Sequence, residues 1–296
     1  MINCALIGLG RWGRVLMNYI DLHPEFNLLY IYTTSKKQQV PRATDDLEVL
    51  LSSDVLEVVF IASPLSYHHF YASLFISKGL HVLVEKPLTV KSGEAKMLQE
   101  LAQKNGVILQ TNYNWLFSPG IQILKHLSQD KKIQSIHIEI TQMGICYADE
   151  DVYQTLGSHA LSICLFLIGG LSGSNIQYTD EVYDQQGVVR SGHMAFIKDG
   201  TRVDIYLDLL NASKKRKITI NLLTETVEYD MIGEDTILHY STERQLINKY
   251  IFDEKNTVAI SLQHFFETIQ DKNGGNIIHS IEIVNLLERT EADEKV

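Results

Sequence analysis

Three cysteines are scattered through 296 residues, at Cys4, Cys146 and Cys164. None forms a Cys-x-x-Cys pair and no histidines cluster at ligand spacing, so neither a disulfide framework nor a metal centre is expected. Positive charge is also scarce: 26 Lys and Arg stand against 36 Asp and Glu, a net charge of −10. That balance offers no general attraction to nucleic acid or to acidic membrane surfaces. Long apolar runs are absent, since the stretch from Leu161 to Leu171 is too short to span a bilayer. With no basic leader or cleavage signal, the expected location is the cytoplasm. Repeats, low-complexity tracts and Pro/Gly/Ser linkers are missing as well.

What is present is an ordinary globular composition, 45% hydrophobic and 21% charged, in a chain about twice the usual size of one domain. As far as about residue 125, strand-like and helix-like segments alternate, and runs such as Val58-Val59-Phe60-Ile61-Ala62 suit a parallel sheet covered on both faces. Later segments, 133–143, 191–197, 202–209 and 217–223, are longer, alternate polar with apolar, and are separated by turn signals such as Lys198-Asp199-Gly200. The fold class expected is therefore α/β followed by α+β. A doubly wound, Rossmann-type parallel sheet occupies 1–120, and a domain with a large, mostly antiparallel open sheet occupies 121–296. The uncovered face of that second sheet is expected to serve oligomerisation, as a homodimer or homotetramer.

Chemistry enters first at Gly8-Leu-Gly10-Arg11-Trp12-Gly13, directly after the apolar run Ile2 to Ile7. In a strand-to-helix turn of this spacing the first glycine makes the tight bend, the second lets the backbone approach a pyrophosphate, and the third packs helix on strand. Free N–H groups of the following helix then face the phosphates. About 20 residues on, Thr33-Thr34-Ser35-Lys36-Lys37 stands where a fold that binds NAD places an acid on the ribose. Hydroxyls and lysines suit a 2′-phosphate instead, which favours NADP over NAD, although the same lysines also read as a solvated loop. A strand then stops at Ser63-Pro64, a loop opening a helix with His68 and His69. Adjacent side chains point to different helix faces, so packing or capping suits these histidines better than an acid/base pair, while Ser63, Pro64 and His68 are counted at the cofactor edge. A further strand delivers Glu85-Lys86-Pro87 to that edge, where a lysine can donate a proton to a substrate oxygen.

Together, Gly8 to Gly13, Ile61-Ala-Ser-Pro64 with His68, and Gly79-Leu-His-Val82 running to Glu85-Lys86-Pro87 resemble the Gfo/Idh/MocA oxidoreductase family. The resemblance extends to Gly157-Ser-His159 and to the closing helix around Leu262 to Phe266. It implies a nicotinamide cofactor, NADP or NAD, held by Gly8, Gly10, Arg11, Trp12, Gly13, Thr33, Thr34, Ser35, Lys36, Ser63, Pro64, His68, Glu85 and Lys86. It also implies catalytic roles for Lys86 and His159, and a small-molecule substrate such as a sugar, sugar phosphate or nucleotide sugar. Tyr113, Trp115, Tyr153, Thr155 and His159 are the candidate substrate contacts; no metal is expected.

The chain departs from the family at the histidine. Many members have Asp-x-Gly-x-His-x-x-Asp there, whereas this chain reads Thr155-Leu-Gly157-Ser-His159-Ala-Leu-Ser162, without either acid. Three readings stay open: a dehydrogenase or reductase with the base retuned, a protein that binds NAD(P) as a sensor without turnover, and a reductase of a non-sugar imine or keto compound.

Overall fold

In the computed structural model, the described residues are 1–35, 40–144, 146–148, 150–233, 236–253, 256–272 and 277–288. They fall into two units, Met1–Asn114 with Asn256–Asn285, and Trp115–Lys255 with Leu286–Val296.

The first unit is built on strands β1 (Ile2–Ile7), β2 (Phe26–Tyr32), β3 (Ala43–Thr44), β4 (Val58–Ile61), β5 (His81–Val84) and β6 (Leu109–Thr111). All pair in parallel, in the order β3-β2-β1-β4-β5-β6. Helices α1 (Arg11–Leu22), α2 (Glu48–Leu51), α3 (His68–Ser77) and α4 (Ser92–Asn105) make the crossovers. The central strands are apolar on both sides because helices cover both faces: Val58, Val59, Phe60 and Ile61 are wholly buried. On α1, Gly13, Leu16 and Ile20 recur at helical spacing and form its buried stripe.

The second unit opens with α5 (Pro119–Ser128), whose first position is a proline that fits there without losing a hydrogen bond. Strand β7 (Ile133–Thr141) follows, then one π-helical turn, Tyr153–Gly157, which runs into α6 (Ser158–Ile168). Strands β8 (Gln177–Tyr183), β9 (Val189–Lys198), β10 (Thr201–Asp208), β11 (Lys215–Leu222), β12 (Glu225–Asp230), β13 (Thr236–Ser241) and β14 (Leu246–Ile251) complete an eight-stranded sheet. Its order is β14-β13-β12-β11-β7-β10-β9-β8. Only β7 and β10 pair in parallel; the other neighbours are antiparallel. Period-2 alternation sends Ile136, Ile138 and Ile140 to the buried face, while His137 points outward and is exposed. The central strands also turn Arg202 and Lys217 outward, so the face expected to be an apolar oligomer surface is polar there. Helix α6 is apolar nearly all round and is buried along almost its whole length.

The chain then returns to the first unit through α7 (Thr257–Asp271) and α8 (Ile277–Leu287). Asn256 caps α7, its Oδ1 accepting from the N–H groups of Val258 and Ala259 at 3.1 and 3.2 Å. Val258, Leu262 and Phe265 lie on one stripe and share a core with Leu6, Phe60 and Leu83. Each such side chain contributes about 1.5–3 kcal/mol when fully buried. A single cut near residue 120 therefore misassigns the C-terminal helices: local periodicity shows that they are amphipathic, but not which sheet they cover.

Candidate functional site

On the first unit, parallel register brings the expected motifs to one edge. Ile7 pairs with Ile61, and Ile61 with Val84, so the residues that follow, Gly8, Ala62 and Glu85, emerge side by side. Ladder hydrogen bonds run out to this point, Ala62 N–H to the Ile7 carbonyl and Glu85 N–H to that of Ile61, each 2.8 Å. This is the carboxyl edge of the sheet, where open α/β folds take ligands.

The three glycines differ in the space around them. Gly8 has φ +92°, and a Cβ there would stand 2.5 Å from the Ala62 carbonyl oxygen. At Gly13 a Cβ would stand 2.1 Å from the Gly8 carbonyl oxygen, so helix and turn are in backbone contact. A Cβ at Gly10, in contrast, would meet nothing within 4 Å. Gly10 caps α1 without any side-chain cap, and no acid occupies the first turn. The leading N–H groups of the helix are thus open to an anion. A dinucleotide pyrophosphate fits this cradle, with Arg11 and Trp12 exposed beside it.

Glu85 is buried behind the glycine turn. Its Oε1 accepts from Asn112 Nδ2 at 2.7 Å, and the Trp12 indole also hydrogen-bonds to it. Asn112 in turn accepts from the Ser261 hydroxyl of α7 at 2.6 Å. Burial pushes the Glu85 carboxyl up to about 7, against the pull of these donors and of nearby Lys86. Lys86 follows, partly exposed, at a cis Lys86–Pro87 bond.

His68 is counted among the cofactor contacts from sequence, but the structure gives it a different role. The ring is buried, with Nδ1 2.9 Å from the Pro87 carbonyl and Nε2 3.0 Å from that of Ser63. It is wedged between the two loops that carry Ser63-Pro64 and Lys86-Pro87, and in its neutral form the ring donates to one of these two carbonyls, in line with packing. Burial lowers its pKa, against the pull of the Pro87 and Ser63 carbonyls, and nearby Lys86 adds to the lowering. At the end of β2, Thr33 Oγ1 accepts from the Ser35 N–H at 3.3 Å, and Thr34 lies between them. Lys36 and Lys37 lie outside the described residues.

On the second unit, His159 stands in the first turn of α6 and stacks on Trp115, ring centroids 4.0 Å apart and planes within 8°. The Arg216 guanidinium carbon lies 4.3 Å from the Trp115 ring centroid. Of the other expected substrate residues, Tyr113 and Tyr153 are interior side chains, 1% and 0% exposed. Burial raises the Tyr113 pKa, with a hydrogen bond to Ser280 offsetting part of it. Tyr153 lies under β9, where its hydroxyl fills the space a Cβ at Gly192 would need, and its ring packs edge-on against Tyr178 at 4.7 Å. Both are corrected from contact residues to packing residues: aromatic identity does not reveal burial. Thr155 lies in the π-helical turn with its hydroxyl enclosed. The Ser162 hydroxyl is turned back onto the His159 carbonyl at 2.7 Å, so it does not take the part of the absent acid.

Two residues were missed from sequence. Asn112 follows β6 at the same edge as Glu85, and its strand-end position was the available signal. Arg216 sits in the basic run Lys214 to Lys217, but alternation places it on the face of Ile218 and Ile220, and a charge on the inward face of a strand was the clue. Among the described residues no group of His, Cys, Asp or Glu is arranged to hold a metal, and no helix is long and apolar enough to cross a membrane.

Residues 2–113 match the model of a family described as oxidoreductase family, NAD-binding Rossmann fold. The scyllo-inositol 2-dehydrogenase (NADP(+)) IolU of Bacillus subtilis is 33% identical over 135 residues, spanning 42% of this chain and 40% of that protein. In solved structures the fold of the UDP-N-acetylglucosamine 3-dehydrogenase GnnA from Acidithiobacillus ferrooxidans is similar, with a TM-score of 0.86 at 18% identity over 97% of this chain and 95% of that one. KijD10, a 3-ketoreductase from Actinomadura kijaniata solved with NADP, gives a TM-score of 0.84 at 14% identity, covering 99% and 97%.

Proposed function

Residues 2–113 belong to the NAD-binding Rossmann fold of the Gfo/Idh/MocA oxidoreductase family, and on that premise we propose that the chain is an NAD(P)-dependent dehydrogenase or reductase acting on a carbonyl or hydroxyl carbon of a sugar-like small molecule. The observation that carries the reading is the open space at Gly10 between two closed positions, Gly8 and Gly13. Closing both neighbours fixes the turn, and leaving the middle one bare admits a phosphate to the backbone. NADP is favoured over NAD by Thr33, Thr34 and Ser35, with no acid at the end of β2.

A bound nicotinamide supplies or accepts the hydride; the protein orients the substrate and manages the proton. Lys86, partly exposed at the carboxyl edge, binds the reacting oxygen and protonates it in the reductive direction. His159 serves as acid or base toward the substrate, its ring plane set by the Trp115 stack. The same reading takes the protein as cytoplasmic and homo-oligomeric.

A second reading, a sensor that binds NAD(P) without turnover, draws on Thr155 and Ser162, where family members carry acids. Ser162 is spent on the His159 carbonyl. Titration with NADPH and NADH, followed by nicotinamide fluorescence, tests the cofactor; a screen of sugar and keto-sugar substrates with Lys86→Ala as control tests turnover. The expected result is tighter NADPH binding and a rate that falls about 100-fold or more in the variant. Cofactor binding without turnover on any substrate selects the sensor, and no cofactor binding removes both readings.

A further inference from the structure

We propose that Arg216 is an oxyanion receptor on the second unit, taking a carboxylate or phosphoryl group of the substrate beside the Trp115–His159 stack, so that the substrate is acidic and not a neutral sugar. The proposal rests on the reading that this unit carries the substrate.

Arg216 stands apart from the basic residues around it. Lys215 pairs with Glu139 at 3.0 Å and Lys217 with Asp230 at 3.8 Å, both on the outward face of the sheet. Arg216 points the other way and has no carboxylate partner among the described residues. Its Nε is enclosed without an acceptor, and burial lowers its pKa with no acid acting in the opposite direction. A guanidinium does not escape this cost by losing its proton, and stacking on an indole stabilises the charge without supplying an acceptor for the N–H groups. The residue thus has charge and donors to spare.

The stack decides which anion fits. With its carbon 4.3 Å from the Trp115 ring centroid, the guanidinium is held against an aromatic wall, and its planar fork matches the two oxygens of a carboxylate or phosphoryl group. The same indole carries the His159 ring at 4.0 Å. An anion on Arg216 therefore binds at the same indole that carries the histidine assigned to proton transfer.

Trp115 is also the reporter, because the chain has only one other tryptophan, Trp12. In the full-length Trp12→Phe protein, Trp115 emission is followed during titration with inorganic phosphate and, separately, with acetate, at constant ionic strength maintained with sodium chloride. Saturable change with either anion is expected, about ten-fold weaker after Arg216→Gln and intermediate in Arg216→Lys, which keeps the charge but loses the fork. Response to phosphate alone assigns a phosphoryl group, response to acetate alone a carboxylate. No saturable response, or one that Arg216→Gln leaves unchanged, overturns the proposal. NADPH binding by the unmodified protein is measured in parallel: its failure counts against the oxidoreductase reading and leaves the anion result standing.

Discussion

The Asn112 side-chain amide donates to the Glu85 carboxylate at 2.7 Å, inside the first unit and directly behind the glycine turn. Both groups are buried, and the carboxyl pKa lies at about 7, above its ordinary 4.5. The folded protein therefore prefers the protonated acid more than the unfolded chain does. Stability from this group is fully present below pH 4.5 and is lost as pH rises through about 7, a loss of about 3 kcal/mol when complete. Glu85→Gln removes that dependence. Urea denaturation of both proteins at pH 5 and pH 8 is expected to show the variant gaining relative to the parent at the higher pH. An equal difference at both values overturns the assignment.

The glycine turn predicts a separation of stability from binding. Gly10→Ala places its methyl in open space and is expected to change stability by no more than about 0.5 kcal/mol, while NADPH affinity falls at least ten-fold. Gly13→Ala drives a methyl into the Gly8 carbonyl and is expected to destabilise by about 2 kcal/mol or more. Thermal melts and cofactor titrations of the two variants decide the matter; a Gly10→Ala protein that binds NADPH as well as the parent removes the pyrophosphate from this turn.

His68 supplies a third test. His68→Leu keeps the volume but removes the one N–H that the neutral ring donates to the Ser63 or Pro87 carbonyl, at an expected cost of about 1–3 kcal/mol. Because burial lowers the pKa of this histidine, its contribution declines as pH falls below 6.5, where the unfolded chain takes up the proton first. The parent is thus expected to lose stability relative to the leucine variant between pH 6.5 and 5. A destabilisation that does not vary over this interval shows that the ring acts by shape alone.

Legibility followed the range of the interaction. The strand-turn-helix at Ile2 to Leu22 was readable because both its covalent spacing and its backbone demands are local, and so was the delivery of Lys86 to the same sheet edge, since parallel strands share one direction. His68 was placed at the cofactor edge from sequence even though helix geometry favoured packing, and its carbonyl neighbours were not legible, because one lies 19 residues away. Tyr113 and Tyr153 failed as substrate contacts since the sequence does not say which tyrosines later strands and helices cover.

The sequence by itself determined the α/β rhythm, the strand-to-helix glycine turn and the absence of metal-ligand spacing, all of which depend on neighbours in the chain or on composition. Only the tertiary structure decided that 256–285 joins the first unit, where α7 finds an apolar face in Leu6 and Phe60. It alone set the Glu85–Asn112–Ser261 chain of hydrogen bonds and brought Arg216 and His159 to the Trp115 ring. Burial and long-range contact are properties of packed surfaces, and a linear pattern fixes which residues are able to pack but not which of them meet.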